Sequence, residues 1–256
     1  MIIAQISDTH VAASDAADAV LRARADSLRQ CIADINRLDP PPDVVIHTGD
    51  MTDRGQAAEF AHARAMLSEL KAPLYATPGN RDGRAGFTRA FAADGYLTAD
   101  DAFVHYAVDG YPVRLVALDS LASDEQKGDL CGDRLGALAA TLAAAPGVPT
   151  AIFMHHPPFY VSGSSRPLQF VRRRAADDLA DTVNRHPQVI RIFCGHAHRA
   201  RSVRIGGAIA STMPSVAVDL RMENDVPADA AAPVYQVHRY ARDTGFVTEM
   251  RAALAG

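Results

Sequence analysis

Seven side chains in this chain could hold metal, and each stands just beyond a short apolar run. Asp8-Thr9-His10 follows Ile2–Ile6, Gly49-Asp50 follows 44–46, and Gly79-Asn80 follows 74–76. His155-His156 follows 151–154, and Gly195-His196-Ala197-His198 follows 189–193. Carboxylate, imidazole and amide oxygen drawn from separate segments are the inventory of a hydrolytic metal centre.

The spacing adds to the types. Asp8 and His10 are two residues apart, so just past a strand both can point at one ion while Thr9 faces away. His196 and His198 repeat that spacing. Asp50 offers two oxygens that can bridge two cations, and Asn80 offers a neutral oxygen that adds no charge. Glycines 49, 79 and 195 let the backbone turn sharply where each run ends. Taken singly, Gly-Asp and Gly-Asn are ordinary turn signals, and Asp-x-His is more often a loop than a ligand pair. Gly-His-x-His is more specific. All of them together, in this order and at the ends of apolar runs, form a specific pattern.

Positioning these residues requires strands. Short apolar runs bounded by turn residues read as buried strands. The first third reads β-α-β-α-β: strand Ile2–Ile6, helix 16–38, strand 43–47, helix 56–70 and a strand from 73 to 76. Proline at 40, 41 and 42 stops the first helix. Strands 103–108 and 113–119 flank Asp109-Gly110, a hairpin signal. Asp133 is a plausible cap for an alanine-rich helix over 133–144. Strands 149–154 and 189–193 flank a helix over 172–185. Strands 202–205, 208–211, 234–240 and 246–250 follow, the last pairing back across Asp243-Thr244-Gly245. Residues 223–233 read as a loop, and no element is assigned between 77 and 102.

The composition limits the function classes. At 256 residues with 48% hydrophobic content, the chain is an α/β protein able to bury a sizeable core. No linker divides it, so one domain over 1–256 is expected, with 216–256 as a C-terminal β extension. The net charge of −4 gives no field that recruits a nucleic-acid polymer. No run approaches the ~20 apolar residues that span a bilayer, and no signal peptide is evident before the first strand. Cys31, Cys131 and Cys194 are odd in number and widely spaced, which points to reduced, buried thiols and a cytoplasmic location. A homo-oligomer stays open.

The string Asp8-x-His10, Gly49-Asp50, Gly79-Asn80, His155, Gly195-His196-x-His198 resembles the signature of the calcineurin-like metallophosphoesterases, over at least residues 1–215. The stretches around Asp8, Asp50 and His155-His156-Pro157-Pro158 look closest to bacterial class III cyclic-nucleotide phosphodiesterases and glycerophosphodiesterases. The resemblance implies a four-layer α/β/β/α sandwich of two mixed sheets with the metal site at one edge. It also implies that Asp8, His10, Asp50 and His198 hold one metal, and that Asp50 bridges to a second held by Asn80, His155 and His196. His155 is taken as the ligand because the family places one histidine directly after an apolar strand. His156 then stands behind the ligands or faces the substrate, and is a catalytic candidate.

The implied activity is hydrolysis of small phosphodiesters. Two divalent ions ~3.5–4 Å apart lower a bridging water's pKa to ~7, and the hydroxide attacks phosphorus in line. Manganese, iron, cobalt and zinc all suit oxygen and nitrogen ligands. The alternatives are a phosphomonoesterase, a pyrophosphohydrolase, or a metal-stabilised interaction module without turnover. One departure from the family matters: Gly79-Asn80-Arg81-Asp82 carries arginine where the family carries histidine. Arg81 stays protonated and cannot shuttle a proton, but it can donate two hydrogen bonds to a phosphate oxygen. The alternative is that it pairs with Asp82 or points to solvent. Arg166 and the run Arg172-Arg173-Arg174 border the same region, either as a solvated face or as substrate contacts. Phe159 and Tyr160 are candidates for pocket wall, core or rim.

Overall fold

The apolar runs form strands buried on both faces, as parallel strands between two covering layers must be. The computed structural model describes residues 1–97, 102–122, 126–222 and 232–253. In chain order the elements are β1 (Ile2–Ile6), α1 (Ala19–Ile35), β2 (Val44–His47), α2 (Ala57–Leu67), β3 (Leu74–Ala76) and α3 (Arg84–Phe91). Then come β4 (His105–Val108), β5 (Arg114–Leu118), α4 (Gly132–Ala143), β6 (Thr150–Phe153), α5 (Arg173–Arg185) and β7 (Val189–Cys194). The chain continues with β8 (Arg201–Ile205), β9 (Ala208–Thr212), β10 (Val234–Ala241) and β11 (Gly245–Ala252).

Two mixed sheets result. The first has the order β11-β10-β1-β2-β3 and the second β4-β5-β6-β7-β9-β8. β1, β2 and β3 are parallel, as are β5, β6, β7 and β9. The antiparallel β4–β5 and β10–β11 pairs match the expected hairpins. Alternation along the second sheet shows the layering directly. Leu115, Ala117, Ala151, Phe153 and Phe193 join the core of the first sheet, while Val116, Leu118, Ile152, Met154, Ile192 and Cys194 pack under α4 and α5. α1, α2 and α3 cover the first sheet through Leu28, Ile32, Phe60, Met66 and Phe87. This is the expected α/β/β/α sandwich.

The element boundaries moved for local reasons. α1 starts at Ala19 because the Asp18 side chain accepts from the Val20 amide and caps it. α4 is capped at Cys131 and starts at Gly132, so Asp133 is not its cap; it sits in the first turn, where a carboxylate suits the helix dipole. α3 was not expected at all. It is short, and its inward residues are Phe87 and Phe91, stacked at 4.5 Å between centroids. Cys31 and Cys194 are buried thiols, whereas Cys131 is only half-buried. Residues 223–231 of the expected loop lie outside the described residues. No helix among the described residues is long and apolar enough to cross a membrane.

Candidate metal centre

The loops leaving β1, β2 and β3 of one sheet meet those leaving β6 and β7 of the other at the carboxyl ends of the strands. That is where open α/β sheets place ligands. The backbone there is strained. Asp8, His10, Asp50, His196 and His198 have φ of 54°, 44°, 52°, 66° and 52°, and among the described residues no other non-glycine residue has positive φ. Such conformations cost on the order of 1–3 kcal/mol each and persist where surrounding structure imposes them. The loops are tied together by Asp8 N–H to the Gly49 carbonyl (2.9 Å) and His10 N–H to the Asp50 carbonyl (3.0 Å). Side chains are excluded at the tightest points. A Cβ on Gly49 would lie 2.6 Å from His155 Nδ1, and one on Gly195 would overlap Ser7 Oγ.

Two sets of ligand atoms converge. Those of Asp8, His10, Asp50 and His198 lie within 4.8 Å of one another, as do those of His155, His156 and His196. His155 Nε2 also stands 3.2 Å from Asn80 Oδ1 and 3.2 Å from His196 Nδ1. Asp50 faces both sets: Oδ1 is 3.5 Å from His155 Nε2, and Oδ2 is 3.6 Å from His10 Nε2. All seven residues expected to hold metal are therefore brought to one place. Thr9 turns away as expected, bonding His47 Nε2 and the Met51 carbonyl.

The donor chemistry fits divalent cations. His155 Nδ1 lies 2.8 Å from the Thr48 carbonyl, and His198 Nδ1 lies 2.8 Å from the Leu220 carbonyl. A carbonyl only accepts, so both Nδ1 atoms carry the hydrogen. In the neutral rings, the Nε2 lone pairs then face carboxylate oxygens: His198 Nε2 is 3.1 Å from Asp8 Oδ1. Lone pairs facing anions at these distances call for a cation between them. His10 Nε2 is buried with no hydrogen-bond partner, as an imidazole awaiting a metal would be.

In the bare protein, protons answer the same field. Burial alone would lower the His155 pKa, but the Asp50 and Asp8 carboxylates raise it to about 9. Burial alone would raise that of Asp8, yet the His198 charge and hydrogen bond bring it to about 2. Burial holds His10 and His196 low, His196 at about 3.

Several supporting residues carried no signal recognised in the sequence. Asp82 is buried and accepts from the amides of Met51, Thr52 and Gly79 and from Thr52 Oγ1, clamping the Asp50 and Asn80 loops together. Burial and the Asp50 charge raise its pKa to about 6. His47 Nδ1 accepts from Gly49 N–H (3.2 Å), and burial keeps that ring neutral, with a pKa near 3. Ser120 accepts from the His156 amide and lies 2.9 Å from His156 Nδ1, while His156 Nε2 lies 3.2 Å from the Gln126 carbonyl. Both ring nitrogens of His156 are thus engaged, and its ring rests 4.5 Å from that of His196. The adjacency of Asp82 to Gly79-Asn80 was the one available clue.

The remaining expectations divide. Arg81 does not pair with Asp82, whose carboxylate points inward; its amide donates to Asp50 Oδ1 at 2.7 Å, and its side chain is exposed. Arg172 pairs with Asp129, Arg173 with Asp177 and Tyr160, and Arg174 with Asp178, so the run is a solvated, internally paired face. Arg166 is exposed as well. Phe159 belongs to the outer core, and Tyr160 is 49% exposed at the rim.

Comparison with known proteins places this geometry in a family. Residues 1–200 match the family described as calcineurin-like phosphoesterase. The chain is 30% identical over 252 residues to the probable glycerophosphodiester phosphodiesterase GpdQ of Arcobacter nitrofigilis, covering 97% of this chain and 92% of that one. It is 27% identical over 237 residues to the 3',5'-cyclic adenosine monophosphate phosphodiesterase CpdA of Pseudomonas aeruginosa, covering 92% and 84%. A dimetal phosphatase from Danio rerio has the same fold, with TM-score 0.74 at 16% identity over 99% of this chain and 96% of that one.

Proposed function

The chain belongs to the calcineurin-like phosphoesterase family, and we propose that it hydrolyses small phosphodiesters, of the glycerophosphodiester or cyclic-nucleotide type, at a centre of two divalent ions. One observation carries the reading: the two oxygens of Asp50 face two separate sets of ligand atoms. Asp8, His10, Asp50 and His198 would hold one ion. Asp50, Asn80, His155 and His196 would hold the other.

Bound there, two divalent ions supply Lewis acidity and activate water. The chain's own residues do the rest. Thr48 and Leu220 carbonyls fix the tautomers of His155 and His198 and aim their Nε2 atoms inward. Asn80 contributes oxygen without charge, so the centre keeps net positive charge for an anionic ester. His156, held at both nitrogens by Ser120 and Gln126, acts as a positioning residue against His196. Arg81, anchored beside Asp50 by its amide, presents an exposed guanidinium to a non-bridging phosphate oxygen. It holds charge and transfers no proton.

Metal-reconstituted protein should contain two divalent ions per chain by elemental analysis and should turn over a chromogenic diester faster than the matching monoester. One ion or none overturns the dinuclear centre. Equal or reversed ester preference overturns the diester reading, and no turnover of either ester by the loaded protein leaves only an interaction module.

Arg81→Ala should lower diester kcat/KM by about 1.5–3 kcal/mol, the range of a charged hydrogen bond, with metal content unchanged. Wild-type kinetics on every ester tested would make Arg81 a surface residue.

A further inference from the structure

A second polar cleft opens where the two sheets end, between the β8–β9 edge of one and the β10–β11 edge of the other. Its volume is about 530 Å³, and it shares no lining residue with the metal centre. Arg191 of β7 points into it and is 7% exposed. Its Nη2 donates to Ser211 Oγ and Thr248 Oγ1, both at 3.1 Å. Its Nε is buried with no hydrogen-bond partner. No carboxylate pairs with it among the described residues.

The surroundings do not supply the missing charge. The ionisable groups beside Arg191 are the buried Cys194 thiol and His238. His238 sits between Thr248 Oγ1 (2.8 Å) and Gln5 Oε1 (3.0 Å), and burial keeps it neutral. Arg201, bonded to Ser162, lines the same cleft. Gln236 Oε1 is also buried and unpartnered there; amide orientation is assigned from the surrounding network, and a flip would aim two donors into the cleft. A buried cation without a counter-charge is costly, and a guanidinium beside the Ser211 hydroxyl suits a tetrahedral oxyanion.

We propose that this cleft binds a small oxyanion of the phosphate class, on Arg191 and the Ser211 hydroxyl, at a site separate from the metal centre. The oxyanion is either free inorganic phosphate or the phosphoryl group of a small organic ester.

The test is an NMR titration of the zinc-loaded full chain with inorganic phosphate, and in parallel with methyl phosphate, against sodium chloride at matched ionic strength. Both carry the oxyanion, and the tighter binder identifies its source. Saturable shifts of the Ser211, Thr212, Gln236 and Thr248 amides are expected with at least one of them and not with chloride. Arg191→Met should weaken those shifts by about tenfold or more, while shifts near His196 persist. Ser211→Ala, which removes a single hydroxyl, should weaken them by a smaller factor and serves if Arg191→Met does not fold. The proposal is overturned if neither phosphate moves those amides saturably, or if the variant that folds keeps the wild-type affinity.

Discussion

Asp50→Ala is expected to empty both metal positions and to lower turnover more than tenfold, the largest loss from any single substitution in this chain. Each tenfold is ~1.4 kcal/mol of barrier. The physical reason is that Asp50 is shared: Oδ1 lies beside His155 and Oδ2 beside His10. Without it, two cations would face each other with no anion between. Asp50→Asn separates charge from architecture. The amide can still accept from Arg81 N–H, which now bonds Oδ1 at 2.7 Å, so the loop should keep its shape while affinity for metal falls. Elemental analysis beside circular dichroism reads both. If Asp50→Ala keeps more than about a tenth of wild-type activity, the bridging role is wrong.

His155→Ala should come next, losing an ion and nearly all turnover. The adjacent His156→Ala should retain both ions and lose roughly 10–100-fold in rate, as changes behind a ligand do. The difference rests on where the ring nitrogens go. His155 spends Nδ1 on the Thr48 carbonyl and leaves Nε2 facing Asn80, Asp50 and His196. His156 spends Nδ1 on Ser120 and Nε2 on Gln126. A His156→Ala protein that loses metal while His155→Ala keeps it would reverse the assignment. Occupancy is the readout to trust, since both variants lower activity.

Much of this centre was legible beforehand because its chemistry sits at the ends of apolar runs. A buried strand needs several consecutive apolar residues, and the first polar residues after it stand at the sheet's carboxyl edge. Asp8, Asp50, Asn80, His155 and His196 are all such residues. What went unseen acts through tertiary contacts. Asp82 and His47 read as an ordinary loop acid and an ordinary strand histidine. Their value lies in which amides they meet, and those amides belong to other segments. Arg191 likewise reads as one polar residue in a strand, and only the packing of four strands around it shows that its charge is buried and unpaired. α3 escaped because its eight residues present just Phe87 and Phe91 to the core, too few for a helical period to stand out.

The chain's order of residues alone determined the ligand types, the strands that carry them and the family signature they spell. The family signature also implied how those residues divide between two ions, and the tertiary structure decided which of their atoms come together. Asp8 and His10, two residues apart, fall in one set as the spacing suggests, but His196 and His198, with the same spacing, fall in different sets. Periodicity assigns two such residues to one face only while the backbone stays extended. Here φ is positive at all four residues, 54° and 44° at Asp8 and His10 and 66° and 52° at His196 and His198, so spacing decides neither pair, and packing sets the turn at His196. The turn is held in place by Asp8, which accepts the His196 amide at 3.0 Å from 188 residues away, a contact that exists only once the two sheets have packed together.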